Sequence, residues 1–92
     1  MLNNTTDVIF IGKKPLMTYV TSAIIQLSAI PSITLKARGL SIGLAVDVAQ
    51  VIKRKTTAFE IGKVTIDSES LESTDGKIRN VSTIEIPVKR TW

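Results

Sequence analysis

The chain has 92 residues, a formal net charge of +4 and an isoelectric point near 9.7, so it is sized for one small domain, 1–92, and biased toward polyanionic partners. A domain this short buries only roughly 60–65% of the surface that its unfolded chain exposes, and a partner subunit would add to a thin stability margin. It contains neither cysteine nor histidine, which excludes disulfides and argues against zinc sites and imidazole acid–base chemistry.

Polar residues open the chain, and residues 1–7 read as a flexible start without the basic-then-apolar order of a secretory signal. The expected compartment is therefore the cytoplasm. The short apolar run from Val8 to Ile11 stops at Gly12 and reads as a buried strand leading into a turn. Pro15 suits the first position of a helix, where its missing N–H costs nothing. From there Leu16, Tyr19, Val20, Ala23, Ile24 and Leu27 recur at helical spacing, which places Tyr19 in the core and predicts an end near Ala29, before Pro31. The longest uncharged stretch, from Pro15 to Leu35, is broken by eight polar or proline positions, so it does not read as a membrane span.

Ile33 to Ala37 predicts a second strand, and Arg38-Gly39 a turn that hands over to Ser41 as the N-cap of a second helix running to about Lys55. Leu44, Ala45, Val46, Val48, Ala49, Val51 and Ile52 cover most of that helix's circumference. A helix with one buried face needs only a stripe, so this one is expected to lie at a dimer interface. The segment from Phe59 to Leu71 is β-rich, but Ile61 is out of phase with Val64 and Ile66, and Gly62 marks a bulge. Ser82, Ile84, Ile86 and Val88 share one face of the last strand, and Pro87 predicts that this strand is at an edge or ends there. Between them Asp75-Gly76 is a hairpin signal, and the polar flanks predict a ribbon, 67–80, that projects as an arm. The order is β-α-β-α-β-β, an α+β two-layer sandwich with the helices on one face of the sheet.

The charge is unevenly spread. Residues 1–66 hold eight cations against three carboxylates, whereas residues 67–92 hold four against five. Lys13 and Lys14 sit between a strand and a helix start, where the macrodipole disfavours cations and favours anions. They are either a solvated loop or, with the free N–H groups behind them, a phosphate site. Lys36 and Arg38 share one face at the carboxyl end of their strand. If the two strands are parallel neighbours, as a helical crossover requires, all four cations converge on one rim. Lys53, Arg54 and Lys55 close the second helix, where they complement its dipole or make peripheral phosphate contacts. In the arm Lys77 and Arg79 are outnumbered by Asp67, Glu69, Glu72 and Asp75, so charge alone would not wrap it on a polyanion. The aromatic residues Phe10, Tyr19, Phe59 and Trp92 form no repeated stacking platform. Asp47 and Glu60 are isolated carboxylates, and no catalytic constellation, metal set or cofactor motif is visible; the chain does not read as an enzyme.

The run Ile11-Gly12-Lys13-Lys14-Pro15-Leu16-Met17-Thr18-Tyr19-Val20 resembles the start of Alba, the archaeal chromatin family. So do Lys36-Ala37-Arg38-Gly39, Ala45-Val46-Asp47, and Asp75-Gly76 followed by Val81-Ser82-Thr83-Ile84-Glu85-Ile86, in order and spacing from residue 8 to 89. The resemblance implies a dimer that coats and compacts double-stranded DNA, and often binds RNA, with little sequence preference, in association with the chromosome or nucleoid. Lys13 and Lys14 would then be the central contacts, Lys36 and Arg38 would flank them, and Lys77 and Arg79 would serve the arms. Lys13 would match the lysine whose acetylation weakens DNA binding in the family, implying an acetylase and a deacetylase as partners. The family also offers an RNA chaperone or a subunit of an RNase P-like particle as alternatives. Leu40 and Leu44 stand where members often carry basic residues, Thr56 stands where some carry an aromatic that packs dimer against dimer, and the arm is unusually acidic. These departures motivate a further alternative, a weakly binding subunit that heterodimerises with an Alba paralogue.

Overall fold

A computed structural model of the chain describes residues 7–55 and 57–92; the expectations for Thr56 and for the first six residues fall outside the described residues. The elements follow in the order β1 (Val8–Phe10), α1 (Leu16–Ala29), β2 (Ser32–Arg38), α2 (Ile42–Lys55), β3 (Phe59–Ile61), β4 (Thr65–Glu72) and β5 (Ile78–Arg90). The sheet order is β1-β2-β5-β3, with β4 also paired to β5. β1 and β2 are parallel neighbours, as the α1 crossover requires, with Phe10 opposite Lys36; every other pairing is antiparallel.

The helical stripe read from the sequence is the one that is buried. Tyr19, Val20, Ala23 and Leu27 of α1 meet Ala45, Val48, Ala49 and Ile52 of α2 over Ile33, Leu35 and Ala37 of β2 and Ile84, Ile86 and Val88 of β5. Alternation along β2 and β5 turns these apolar side chains toward the helices and leaves Lys36, Arg38, Thr83 and Glu85 on the helix-free face. A fully buried side chain such as Leu27 or Leu35 contributes about 1.5–3 kcal/mol.

Four local expectations are corrected. Pro15 is not the first helical residue but stands just before it, with φ −58° and ψ 149°. Ser41 does precede the first residue of α2, but it ends a 3-10 turn (Gly39–Ser41), and its hydroxyl donates to the Gly12 carbonyl at 3.4 Å. The wrapping of α2 is also less complete than its composition suggests. Leu44 and Val51 pack half-buried against the core, and Val46 alone of the seven apolar positions is exposed, at 39%.

Pro87, finally, is neither at an edge nor at a strand end. β5 is central, and Thr34 of β2 is the partner of Pro87. What makes it tolerable is the bulge. Between the pairs Ile61↔Val88 and Thr65↔Glu85 the β3–β4 side spans one residue more than β5. The Pro87 carbonyl accepts the Gly62 N–H at 2.8 Å. Its missing N–H faces the same side, where the ladder is already interrupted, so no hydrogen bond is forfeited. A Cβ at Gly62 would come within 3.3 Å of the Pro87 ring, which is why a glycine fits there.

The single long strand expected before the hairpin is thus two strands divided at the bulge. Every residue of β4 is exposed, and the ribbon it forms with β5 projects from the body. The radius of gyration, 14.4 Å, exceeds the about 12 Å expected for a compact chain of this length.

Candidate nucleic-acid interface

β1 ends beside β2 and continues the pairing by one bond, from Ile11 N to Lys36 O at 2.8 Å. The chain then leaves the sheet through residues 12–15 and enters α1. Tyr19 decides the shape of this loop. Its ring is buried, and its hydroxyl accepts the backbone N–H of Gly12 at 2.8 Å and of Lys14 at 3.0 Å. Two amides flanking Lys13 are thereby tied to one atom, and Ser41 ties the Gly12 carbonyl from the other side. Position in the core stripe showed that Tyr19 faces inward but not that its hydroxyl emerges under the loop. One signal was available: a side chain in the first turn of a helix leans back toward the N-terminus, where the loop lies.

Lys13 and Lys14 are exposed, and among the described residues no ion pair engages either. α1 has no side-chain cap at Pro15 and no acidic residue in its first turn, so its N-terminal N–H groups add positive potential that nothing local offsets. Lys36 and Arg38 lie at the same end of the sheet, as the parallel pairing predicts, but on its helix-free face. There Lys36 lies 3.7 Å from Glu85 and Arg38 lies 3.1 Å from Glu69. Finding these acidic partners from sequence needed the non-local register that sets Lys36 opposite Glu85. An open groove of about 550 Å³ on this face is lined by Phe10, Lys36, Arg38, Glu69, Thr83 and Glu85, cations and carboxylates together.

Lys77 and Arg79 lie elsewhere, on the arm, both exposed. The turn between β4 and β5 spans residues 73–77. It is closed by Ser73 N to Lys77 O at 2.8 Å, while Asp75 accepts the Lys77 N–H at 3.0 Å and meets the Ser73 hydroxyl. These bonds hold the Asp75 carboxyl below the usual carboxylate range, the Ser73 hydroxyl first and the Lys77 N–H second. Lys53, Arg54 and Lys55 form the exposed last turn of α2, at the other end of the molecule.

The order of elements and the overall fold recur in known proteins. The Alba family profile matches residues 7–68. The DNA/RNA-binding protein Alba of Nitrosopumilus maritimus (strain SCM1) is 66% identical over 92 residues, covering 98% of this chain and 97% of the relative. The chain belongs to the Alba family. A second relative, the DNA/RNA-binding protein Alba of Methanocella arvoryzae, is 44% identical over 86 residues, covering 91% of this chain and 90% of its own. Among solved structures, Alba from Thermoplasma volcanium superposes with a TM-score of 0.82 at 39% identity, covering 90% of this chain and 99% of that one. ALBA1 from Trypanosoma brucei shares the fold, with a TM-score of 0.77 at 19% identity over 96% of this chain and 72% of its own. The Alba fold thus accounts for the whole order of elements described above. Among the described residues no helix is long and apolar enough to cross a membrane.

Proposed function

We propose that this Alba chain is an architectural protein that binds double-stranded DNA through backbone phosphates, as a dimer and in association with the chromosome. The observation that carries the proposal is the loop of Lys13 and Lys14: two exposed cations without acidic partners, on a backbone fixed by Tyr19, at an uncapped helix start. A fixed pair of ammonium groups meets a phosphate without the entropic cost of ordering a loose loop, and N–H groups of α1 can share the same anion. Both closely similar relatives are DNA/RNA-binding proteins, which supports nucleic acid as the polyanion.

Lys36 and Arg38 act as flanking contacts of lower weight, because each must exchange a carboxylate for a phosphate. Lys77 and Arg79 reach out on the arm, and Lys53, Arg54 and Lys55 are peripheral. Acetylation of Lys13 would remove one of the loop's two charges and weaken binding, so an acetylase and a deacetylase are the regulatory partners this reading implies. Dimerisation, with a second copy or with an Alba paralogue, is supported by apolar side chains left uncovered: Leu40 fully exposed, Val46, Val64, and Ile66 at 80%.

The test is a salt titration of Lys13→Ala, Lys14→Ala on duplex DNA. Removing two phosphate contacts from each subunit of a dimer should flatten the log–log salt slope by roughly four units, with nearly equal constants for unrelated sequences. An unchanged slope overturns the reading. Because the relatives are named for RNA as well, competition between DNA and RNA duplexes of one sequence decides which backbone dominates; an RNA chaperone role would show as preference for the A-form helix.

A further inference from the structure

β5 runs antiparallel to β2, so Thr83 lies opposite Arg38 and Lys89 opposite Ser32. The end of β5 is therefore six strand residues, roughly 20 Å, from the rim that carries Lys13 and Lys14. A second set of cations gathers at this far end. Lys53, Arg54 and Lys55 are all exposed, and among the described residues no ion pair engages them. A helix C-terminus carries only about half a negative charge, so three consecutive cations exceed what α2 requires. The nearby carboxylate of Glu60 is already engaged by Lys89, at 3.1 Å.

The last residues are held against this turn. Arg90 pairs with Phe59, Thr91 N donates to Ala58 O at 2.7 Å, and the Thr91 hydroxyl donates to Thr57 O at 3.2 Å. Arg90 is itself fixed, donating to the Leu27 carbonyl at 3.0 Å and the Ser28 carbonyl at 3.4 Å at the end of α1. Its guanidinium stands 4.2 Å from the centre of the Trp92 ring. Trp92, the sole tryptophan, is thus braced on one side by a cation and still 67% exposed. Leaving a large aromatic in water beside a cation serves no packing purpose.

We propose that this end is a second nucleic-acid contact, at which an unpaired base of single-stranded DNA or RNA stacks on Trp92 while neighbouring phosphates meet Lys53, Arg54 and Lys55. It is independent of the duplex site proposed at Lys13 and Lys14. A duplex keeps its base faces stacked internally, whereas a single strand offers a face for every base. One ring gives one stacked base and not a track, in keeping with the absence of a repeated aromatic platform. A second copy of the same end is a poorer occupant, because two cationic surfaces repel. An anionic membrane would find Trp92 without an apolar helix face beside it.

The fluorescence of Trp92 reports on this site alone. On addition of oligo(dT) or oligo(U) of about 15 nucleotides, the wild-type chain should show saturable quenching, and the Lys13→Ala, Lys14→Ala variant should show the same. With a labelled oligonucleotide, Trp92→Leu should lose about 5- to 150-fold in affinity, since stacking contributes about 1–3 kcal/mol per base. Trp92→Phe should recover part of it, and Lys53→Gln, Arg54→Gln, Lys55→Gln should flatten the salt dependence. Absence of quenching overturns the proposal. So does quenching that vanishes with Lys13 and Lys14, a blue shift produced by phosphatidylserine vesicles and not by oligonucleotides, or a Trp92-dependent self-association without nucleic acid.

Discussion

Two of the regions that carry cations outward, the loop between β1 and α1 and the arm between β4 and β5, are held in opposite ways. The loop is short and fastened from below by a buried tyrosine and from the side by Ser41. The arm is long and exposed along the whole of β4, kept in register by its ladder and by the polar bonds of its turn. A charge on the loop therefore has one position to offer, whereas a charge on the arm moves with a ribbon that buries almost nothing. Preorganisation, more than the number of lysines, separates the two as phosphate ligands. Local charge points the same way, since among the described residues no acidic partner engages the loop, and residues 67–80 hold four carboxylates against two cations.

The largest effect should come from the core that supports the loop. Leu27→Ala removes a fully buried side chain, and should cost about 2–5 kcal/mol in denaturant unfolding. Ile78→Ala, on the exposed arm, should stay within about 0.5 kcal/mol. Equal losses would mean that the arm packs on something, a partner subunit foremost, and the contrast between the regions would need redrawing.

Tyr19→Phe cuts the tether without touching charge or ring packing. Two backbone N–H groups lose their acceptor, and the stability loss should be about 1–3 kcal/mol. Amide exchange at Gly12 and Lys14 should quicken, while exchange on the arm should not change. If preorganisation matters, DNA affinity falls several-fold at an unchanged salt slope, because the number of cations is the same. An affinity equal to wild type would show that the lysines bind from a loose loop as well as from a fixed one.

How far the sequence carried these distinctions depends on the range of the interactions. Periodicity alone located the buried stripe of α1, the inward face of β5 and the phase slip at Gly62, because each is written in neighbours a few residues apart. The parallel pairing of β1 with β2 followed from one crossover. The loop tether was not legible, since a tyrosine in an apolar stripe looks the same whether or not its hydroxyl finds a loop amide. Nor were the acidic partners of Lys36 and Arg38, which depend on the register of β2 with β5 and on β4 lying beside it. Pro87 misled because the rule it invokes concerns a missing donor, and only the bulge shows that this donor had no acceptor to lose.

A finer comparison uses glycine. Gly39, in the turn beside the loop, and Gly76, in the arm turn, both have positive φ, 59° and 82°. Open space or ordinary contact awaits a Cβ at each, Val81 at 3.6 Å being the neighbour of Gly39, so alanine would act through backbone strain alone, about 1–2 kcal/mol. Gly39→Ala should appear in global unfolding, because its turn joins β2 to α2. Gly76→Ala should fray the arm tip, as seen in faster amide exchange near Ser73 and Lys77, and leave the melting temperature unchanged.

The smallest expected effect is the pH response of that same tip. The Asp75 carboxyl is held below its ordinary range by the Ser73 hydroxyl and the Lys77 N–H, so the folded turn binds a proton less readily than the unfolded chain does. Its contribution is therefore present above the unfolded value, about 3.9, and is lost as pH falls through the lower folded value. As pH falls below the unfolded value the Lys77 amide resonance should move toward its random-coil position, and Asp75→Asn should abolish this titration. The core amides of β2 should hold their protection as this titration begins, since apolar burial has no proton to gain. A tip that loosens together with the body would show that arm and core unfold as one unit, and the separation drawn between them would fail at its weakest joint.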